Sequence, residues 1–417
     1  MHDFQYADGA LHCEGVSLAA VAEAVGTPFY CYSHRTFVNH YRTFDSAFQG
    51  ADHLVCYSVK VNSNLAILHA LFREGAGADI VSGGELYRAL KAGADPRKIV
   101  YSGVGKREDE IRYALQSGIL MFNVESPLEM LTIDRIAGEI GEVAPVSIRV
   151  NPDVDPLTHP YISTGLRKNK FGIAIERALV EYRHAQRLAN VRVVGVDCHI
   201  GSQITQLPPF VDALERLRGL IGTLRAEGFE IRYLDVGGGL GIPYSDENAP
   251  HPTEYGQAVL EATAGLGCTL IMEPGRVIAG NAGVLVSRVL YTKESEEKRF
   301  VIADAAMNDL VRPSLYGSFH AIRPLREAPE TVLCDLVGPI CESGDFLAKD
   351  RRMADLKPGD LFAVMSAGAY GFIMGSNYNS RPRVAEVLVQ GDRFWVIRRR
   401  ERYEDLVRGE EIPPELN

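Results

Sequence analysis

Hydrophobic residues along this chain fall into short runs separated by longer amphipathic stretches. From residue 54 to residue 273 the short runs lie at 54–60, 78–82, 99–102, 120–125, 146–151, 191–199, 231–236 and 269–273. Their brevity and their content of β-branched and aromatic residues predict strands. The stretches between them carry apolar residues at helical spacing, as in Leu65, Leu68, Leu71 and Phe72, or Phe210, Ala213, Leu214 and Leu217. Such a period predicts helices with one buried face. Eight strand–helix units within roughly 250 residues predict a closed (β/α)8 barrel. The competing doubly wound open sheet is disfavoured by the number of strands, and no Gly-x-Gly-x-x-Gly opens the first helix.

Past Gly280 the rhythm changes. Runs at 283–291, 299–303, 331–337, 360–365 and 393–399 are separated by Gly, Pro and charge clusters with few helical stretches. They predict a separate antiparallel β domain. Residues 1–30 read as a short strand, a helix over 18–25 with Ser17 as its N-cap, and a Gly26-Thr27-Pro28 break. The expected division is 1–30 as a segment packing with the β domain, 31–280 as the barrel, and 281–417 as the β domain.

Composition narrows the partners. The 417 residues carry a net charge of −10 and a pI near 5.6, which argues against nucleic acid or an anionic membrane surface. No apolar run approaches the roughly 18 residues of a membrane span. The start, Met1-His2-Asp3-Phe4, lacks the pattern of a signal peptide, so a cytoplasmic protein is expected. The seven cysteines form no Cys-x-x-Cys pair and no metal-ligand spacing, which predicts reduced thiols and no metal site.

Chemistry gathers at the C-terminal ends of the predicted strands, the active face of such barrels. The first strand ends on Lys60, followed by a helix opened by Asn62-Ser63-Asn64. A lysine there, in an apolar surround, becomes a nucleophilic amine. The second strand carries Asp79 and Ser82, the fifth ends in Arg149 and Asn151, and the sixth in His199-Ile200-Gly201-Ser202. The seventh runs into Gly237-Gly238-Gly239 and the eighth into Glu273-Pro274-Gly275-Arg276. Glycines after a strand let backbone N–H groups approach an anion, and Arg276 adds a charge-assisted contact. The connection from Asn151 to Phe171 is too long for a plain barrel and reads as a lid. Arg167, Lys168 and Lys170 within it read as a solvated basic patch.

An accessible lysine, an anion site and a strand-end carboxylate are the three requirements of pyridoxal 5'-phosphate. Lys60 takes the aldehyde, the glycine segments and Arg276 take the phosphate, and Glu273 keeps the ring nitrogen protonated. A glutamate there makes the ring a strong electron sink, which suits decarboxylation.

The motifs Tyr57-Ser58-Val59-Lys60-Val61-Asn62, His199-Ile200-Gly201-Ser202-Gln203, Gly237-Gly238-Gly239 and Glu273-Pro274-Gly275-Arg276 resemble those of the fold-type III pyridoxal-phosphate decarboxylases, which share the alanine racemase barrel. Within that group the chain is most similar to the diaminopimelate decarboxylase branch. His159-Pro160-Tyr161-Ile162-Ser163-Thr164-Gly165 with Lys170-Phe171-Gly172 resembles its lid. Arg312-Pro313-Ser314-Leu315-Tyr316 and Gly338-Pro339-Ile340-Cys341-Glu342-Ser343-Gly344-Asp345 resemble its substrate segments. Ser58 and Val61 depart from the alanines common in that motif, changes expected to touch no reacting group.

The resemblance implies decarboxylation of meso-2,6-diaminopimelate to L-lysine and CO2, the last step of lysine biosynthesis. Decarboxylation of ornithine, arginine or carboxynorspermidine is the alternative, against which Arg312 and the lid motif speak. The implied roles are Lys60 as the cofactor's attachment point, His199 stacking on the ring and Glu273 at its nitrogen. Asp79, Ser202, Gly238, Gly239, Pro274, Gly275, Arg276 and Tyr370 would complete the cofactor site. Arg276, Arg312, Tyr316 and Tyr370 would meet the substrate, Arg276, Arg312 and Tyr316 at its distal carboxylate, and Glu342 would meet its distal ammonium. Cys341 would return a proton to the carbon that loses CO2. In the family this segment reaches the neighbouring subunit's site, which implies a homodimer with shared active sites.

Overall fold

The computed structural model describes residues 2–156, 158, 164–165 and 169–416. It divides into two compact units, Val38–Ile278 and Met1–Phe37 with Ala279–Asn417. The boundary expected at residue 31 falls inside a strand, Phe29–Ser33, that belongs to the second of these units.

The first unit is a closed barrel of eight parallel strands: β1 (His53–Ser58), β2 (Gly77–Ile80), β3 (Ile99–Tyr101), β4 (Met121–Val124), β5 (Ala144–Asn151), β6 (Val191–Asp197), β7 (Tyr233–Asp235) and β8 (Thr269–Met272). Each pairs in parallel with the next, and β8 pairs with β1. Intervening helices follow sequence punctuation. Ser82 accepts a hydrogen bond from the Glu85 N–H to start Gly83–Ala92, and left-handed Gly93 ends it. Ser126 does the same for Pro127–Ile140, with Pro at the first turn and left-handed Gly141 at the end. Each helix thus has a polar N-cap and a glycine stop.

Side chains alternate along each strand, so inward-facing residues recur every second position. Toward the strands' N-terminal ends the barrel packs an apolar cluster of Cys56, Val100, Met121, Val194 and Ile271. Two residues further along β1, β3, β4 and β8 stand Ser58, Ser102, Asn123 and Glu273, all buried. Asp79, Ser147, Arg149, Asp197 and Asp235 are buried with them. One end of the barrel interior is thus apolar and the other polar. Buried polar groups are costly unless hydrogen-bonded, so the polar end has to form a network.

The second unit is built on a mostly antiparallel sheet. Gly283–Glu294 pairs antiparallel with Phe29–Ser33, Arg299–Ala303 and Leu361–Val364. Two pairings are parallel, Phe29–Ser33 with Ala385–Gln390 and Arg299–Ala303 with Glu330–Val337. Strands Phe346–Ala354 and Ala385–Gln390 were not expected from the sequence. The N-terminal segment makes a three-stranded sheet and the helix Leu18–Val25. Ser17 precedes that helix, but its side chain makes no capping bond. Phe4, Leu18, Val21, Phe29, Val284, Val286 and Val387 share one buried core. Among the described residues no helix is long and apolar enough to cross a membrane, and no group of acidic, His and Cys side chains could hold a metal.

Candidate active site

Lys60 lies one turn beyond the strand end. β1 stops at Ser58, and a 3-10 turn over Val59–Val61 lifts Lys60 above the barrel. Its Nζ meets Asp79 Oδ2 at 2.5 Å, with the lysine side chain 30% exposed and the aspartate fully buried. The amine is therefore accessible yet paired. Asp79 sits directly beside Ser58 in the β1–β2 register. Ser58 Oγ lies 2.8 Å from Asp79 Oδ2 and 2.9 Å from the Glu273 carbonyl oxygen, one proton facing two acceptors. Ser58 thus contacts the carboxylate that pairs with Lys60.

Glu273 is buried one step past β8. Its Oε1 accepts from Ser102 Oγ at 3.1 Å and faces Asn123 Nδ2 at 3.4 Å. Asn123 Nδ2 also reaches Asp235 Oδ2 at 3.0 Å. Burial, and then the charge of Asp79, push the Glu273 carboxyl up to about 7. Asp197 and Asp235 are driven well above the carboxylate range, by burial first and then by Glu273. Several carboxyls around the cations Lys60 and Arg149 cannot all be ionised in a low-dielectric space, so protons relieve the excess charge. Arg149 is held by Glu125 at 2.7 Å, both buried.

His199 follows β6. Its Nδ1 accepts from the Gly238 N–H at 3.1 Å, which places the ring proton on Nε2. Burial and the nearby charges of Arg149 and Lys60 hold its pKa well below 6.5, so the ring is neutral. A neutral imidazole at the mouth is suited to stacking.

The glycine run serves packing as much as anion binding. A Cβ on Gly238 would stand 2.2 Å from the Glu273 carbonyl oxygen, and one on Gly237 would stand 2.7 Å from His199 Nδ1. Gly239 has φ +111, and a Cβ there would stand 2.6 Å from the Gly201 carbonyl oxygen. The Gly237 and Gly238 N–H groups already serve Asp235 and His199. A Cβ on Gly275 would meet Val61 at 2.3 Å. The Pro274 carbonyl accepts from the Ser58 N–H at 3.1 Å, tying β8 to β1. Arg276 donates to Ser202 Oγ at 3.1 Å and to the Tyr244 hydroxyl at 2.7 Å, so these three gather at one side of the mouth. Gln203 ties the β6 and β7 exits together through both backbone groups of Ile242.

The barrel unit thus brings together Lys60, Asp79, His199, Ser202, Gly238, Gly239, Glu273, Pro274, Gly275 and Arg276. These residues fit pyridoxal phosphate. The paired amine, the buried acid and the Ser202–Arg276 pair are the donor set that the group requires, and Asp79 Oδ1 is buried without a donor among the described residues. A cavity of about 990 Å³ near the strands' N-terminal ends, lined by Arg225, Cys268 and Thr269 among others, contains none of them.

Of the long connection after β5, residues 157, 159–163 and 166–168 lie outside the described residues, and with them most of the lid motif, Arg167 and Lys168. Thr158 donates to the Ser202 carbonyl and Thr164 to that of His199, both at 2.8 Å. Lys170 Nζ stands 5.3 Å from the Phe171 ring centroid.

The second unit carries Arg312, Tyr316, Cys341, Glu342 and Tyr370. Arg312 is 5% exposed. Its Nε faces His320 Nε2 at 3.4 Å and its Nη2 faces Ser318 Oγ at 3.3 Å, with the Tyr316 ring 5.9 Å away. His320 Nδ1 lies 2.8 Å from the Met365 carbonyl, to which it donates, leaving Nε2 as acceptor. Cys341 is exposed, unlike Cys13, Cys31, Cys56, Cys198 and Cys334. Tyr370 has φ +55, a left-handed conformation rare for an aromatic residue.

Sequence reasoning passed over Ser58, Ser102, Asn123, Gln203, Tyr244 and His320. The first three were findable, since each stands at the inward phase of its strand near the C-terminal end. Nothing in the local pattern marks Tyr244 or His320.

Residues 34–280 match the pyridoxal-binding domain of the pyridoxal-dependent decarboxylases. The diaminopimelate decarboxylase of Pseudomonas aeruginosa is 56% identical, over 100% of both chains. That of Aquifex aeolicus is 49% identical over 97% of this chain and 96% of its own. A solved diaminopimelate decarboxylase from M. jannaschii in complex with L-lysine superposes with a TM-score of 0.95 at 37% identity, covering 100% of each chain. The Helicobacter pylori structure, also complexed with L-lysine, gives 0.91 at 46% identity over 94% of this chain and 98% of that one.

Proposed function

Since the chain belongs to the diaminopimelate decarboxylases, within the pyridoxal-dependent decarboxylases, we propose that its barrel mouth converts meso-2,6-diaminopimelate to L-lysine and CO2. The observation that carries the reading is the single buried network linking Lys60, Asp79, Ser58 and Glu273 at the open end of the barrel. Pyridoxal 5'-phosphate, when bound, supplies the electron sink for the pair left behind by departing CO2.

The chain's own residues do the rest. Lys60 presents the amine that takes the cofactor aldehyde, and Asp79 holds and balances its charge. Glu273 pairs the ring nitrogen. A carboxyl that burial has raised to about 7 gains most from a cation brought against it, because the same low dielectric strengthens the pair. His199, neutral and held by Gly238, supports the ring face. Ser202, Gly239, Gly275 and Arg276 receive the phosphate, and Tyr370 closes over it. Arg276 also meets the distal carboxylate of the substrate, with Arg312 and Tyr316, and Glu342 meets its distal ammonium. A zwitterionic distal end needs both signs of charge, whereas a simple diamine product needs only an acid. Cys341 returns the proton. The active assembly is a cytoplasmic homodimer in which the Cys341–Glu342 segment serves the neighbouring subunit.

The test is incubation of the purified protein with pyridoxal phosphate and meso-diaminopimelate, scoring lysine and CO2, with ornithine and arginine as controls. Borohydride reduction and peptide mapping should place the cofactor on Lys60. Preference for ornithine, or a label on another lysine, would overturn the reading.

A further inference from the structure

The segment carrying Cys341 is stapled from below and held at its tip by one side chain. It turns between strands Glu330–Val337 and Phe346–Ala354. Asp345 fixes its base, accepting from the Ile340 N–H at 2.8 Å and from the Met307 N–H at 2.7 Å. Ser314 Oγ donates to the Gly344 carbonyl at 2.6 Å, and the Glu342 N–H to the Ile340 carbonyl at 2.8 Å. At the exposed tip, the Cys341 N–H donates to Asn379 Oδ1 at 2.8 Å.

Asn379 is itself in an unusual state. Its φ of 56° and ψ of 30° are left-handed, and Ser380 follows with φ 52°. Two successive non-glycine residues in that region persist only where their surroundings over-determine them, and asparagine tolerates it best. The surroundings here do so. The Ser376 N–H donates to the Asn308 carbonyl at 2.9 Å. Asn377 Nδ2 reaches Glu401 Oε2 at 2.7 Å and the Arg381 carbonyl at 3.0 Å. Arg381 donates to the Asp304 carbonyl at 2.7 Å. The strained turn is thus anchored on both sides, and that rigidity aims one amide oxygen at Cys341.

We propose that Asn379 is a positioning residue for proton return: by holding the Cys341 N–H it fixes where the thiol stands. This rests on Cys341 being the proton donor. Proton transfer is sensitive to geometry, and a misplacement of about 1 Å costs up to about 100-fold. Nothing in the local sequence around Cys341 carries this information, because the acceptor comes from 38 residues further along the chain.

The experiment uses the pyridoxal-phosphate-loaded enzyme and three variants. Asn379→Gly keeps the left-handed backbone and removes the acceptor. Asn379→Asp keeps both, and Cys341→Ser probes the donor itself. Four quantities are read: kcat, KM for meso-diaminopimelate, the solvent deuterium isotope effect, and the rate at which iodoacetamide labels Cys341, followed by peptide mapping. Asn379→Gly should lower kcat about tenfold with KM within about twofold, raise the isotope effect and speed the labelling. Asn379→Asp should recover most of kcat. The proposal is overturned if Asn379→Gly matches the parent in kcat, isotope effect and labelling while Cys341→Ser is impaired. A fully active Cys341→Ser removes the donor reading instead, and the proposal with it.

Discussion

Ser58 holds its hydroxyl 2.8 Å from Oδ2 of Asp79, the carboxylate oxygen that also receives Lys60 Nζ at 2.5 Å. The hydroxyl is equally close to the backbone of Glu273, at 2.9 Å, so one small side chain joins the strand of the amine to the strand of the acid. Ser58→Ala removes a donor from a fully buried carboxylate. It should destabilise the cofactor-free protein by about 1–2 kcal/mol, read as a lower urea midpoint. An unchanged midpoint would show that the hydroxyl shares no proton with Asp79.

Glu273 sets a pH dependence with a definite sign. Its carboxyl is raised from the ordinary 4.5 to about 7 in the fold. Between those values the folded chain binds more protons than the unfolded one, so this group's contribution is present in full below about 4.5 and is lost as pH rises through about 7. Glu273→Gln abolishes the titration. Thermal melts of the cofactor-free proteins across pH 4.5 to 8 should show the variant gaining on the parent as pH rises. Parallel curves would mean that the carboxyl is ionised throughout.

Arg312 is buried and held by Ser318 and His320, which presents a preformed fork rather than a searching side chain. Arg312→Ala should weaken meso-diaminopimelate binding by on the order of 2–5 kcal/mol, seen chiefly in KM. Arg312→Lys should recover little, since an ammonium cannot reproduce the planar fork. Unchanged kinetics in both variants would make Arg312 a purely architectural residue.

Complementation tests the shared site. Lys60→Ala and Cys341→Ala proteins, each nearly inactive, should regain activity when mixed and allowed to exchange subunits. Random exchange makes half the dimers mixed, each with one intact site, so recovery should reach about a quarter of wild type. No recovery after demonstrated exchange would confine Cys341 to its own chain.

Much of this was legible in the sequence because it is local. Short apolar runs marked the eight strands, and Asn62-Ser63-Asn64 marked the start of the helix Leu65–Arg73, which Asn64 caps. What escaped was non-local or a matter of phase. The expected barrel start at residue 31 lies inside Phe29–Ser33, whose partners are Gly283–Glu294 and Ala385–Gln390, more than 200 residues away by the numbering. Phe346–Ala354 was obscured by Lys349, Asp350, Arg351 and Arg352, charges that a strand tolerates on an open face. Lys60 was expected on the strand itself, but a 3-10 turn carries it one step higher. The glycine run was read for its N–H groups, whereas two of the three are occupied within the protein.

That last point changes what Gly238 controls. With only 2.2 Å between the place of its missing methyl and the Glu273 carbonyl oxygen, the residue works as a spacer gauge between β7 and β8. A side chain of any size would wedge those strand ends apart and swing the acid along with its backbone. Damage at a position assigned to phosphate binding would then surface at the opposite end of the cofactor, as altered protonation of the ring rather than as loss of the anion contact.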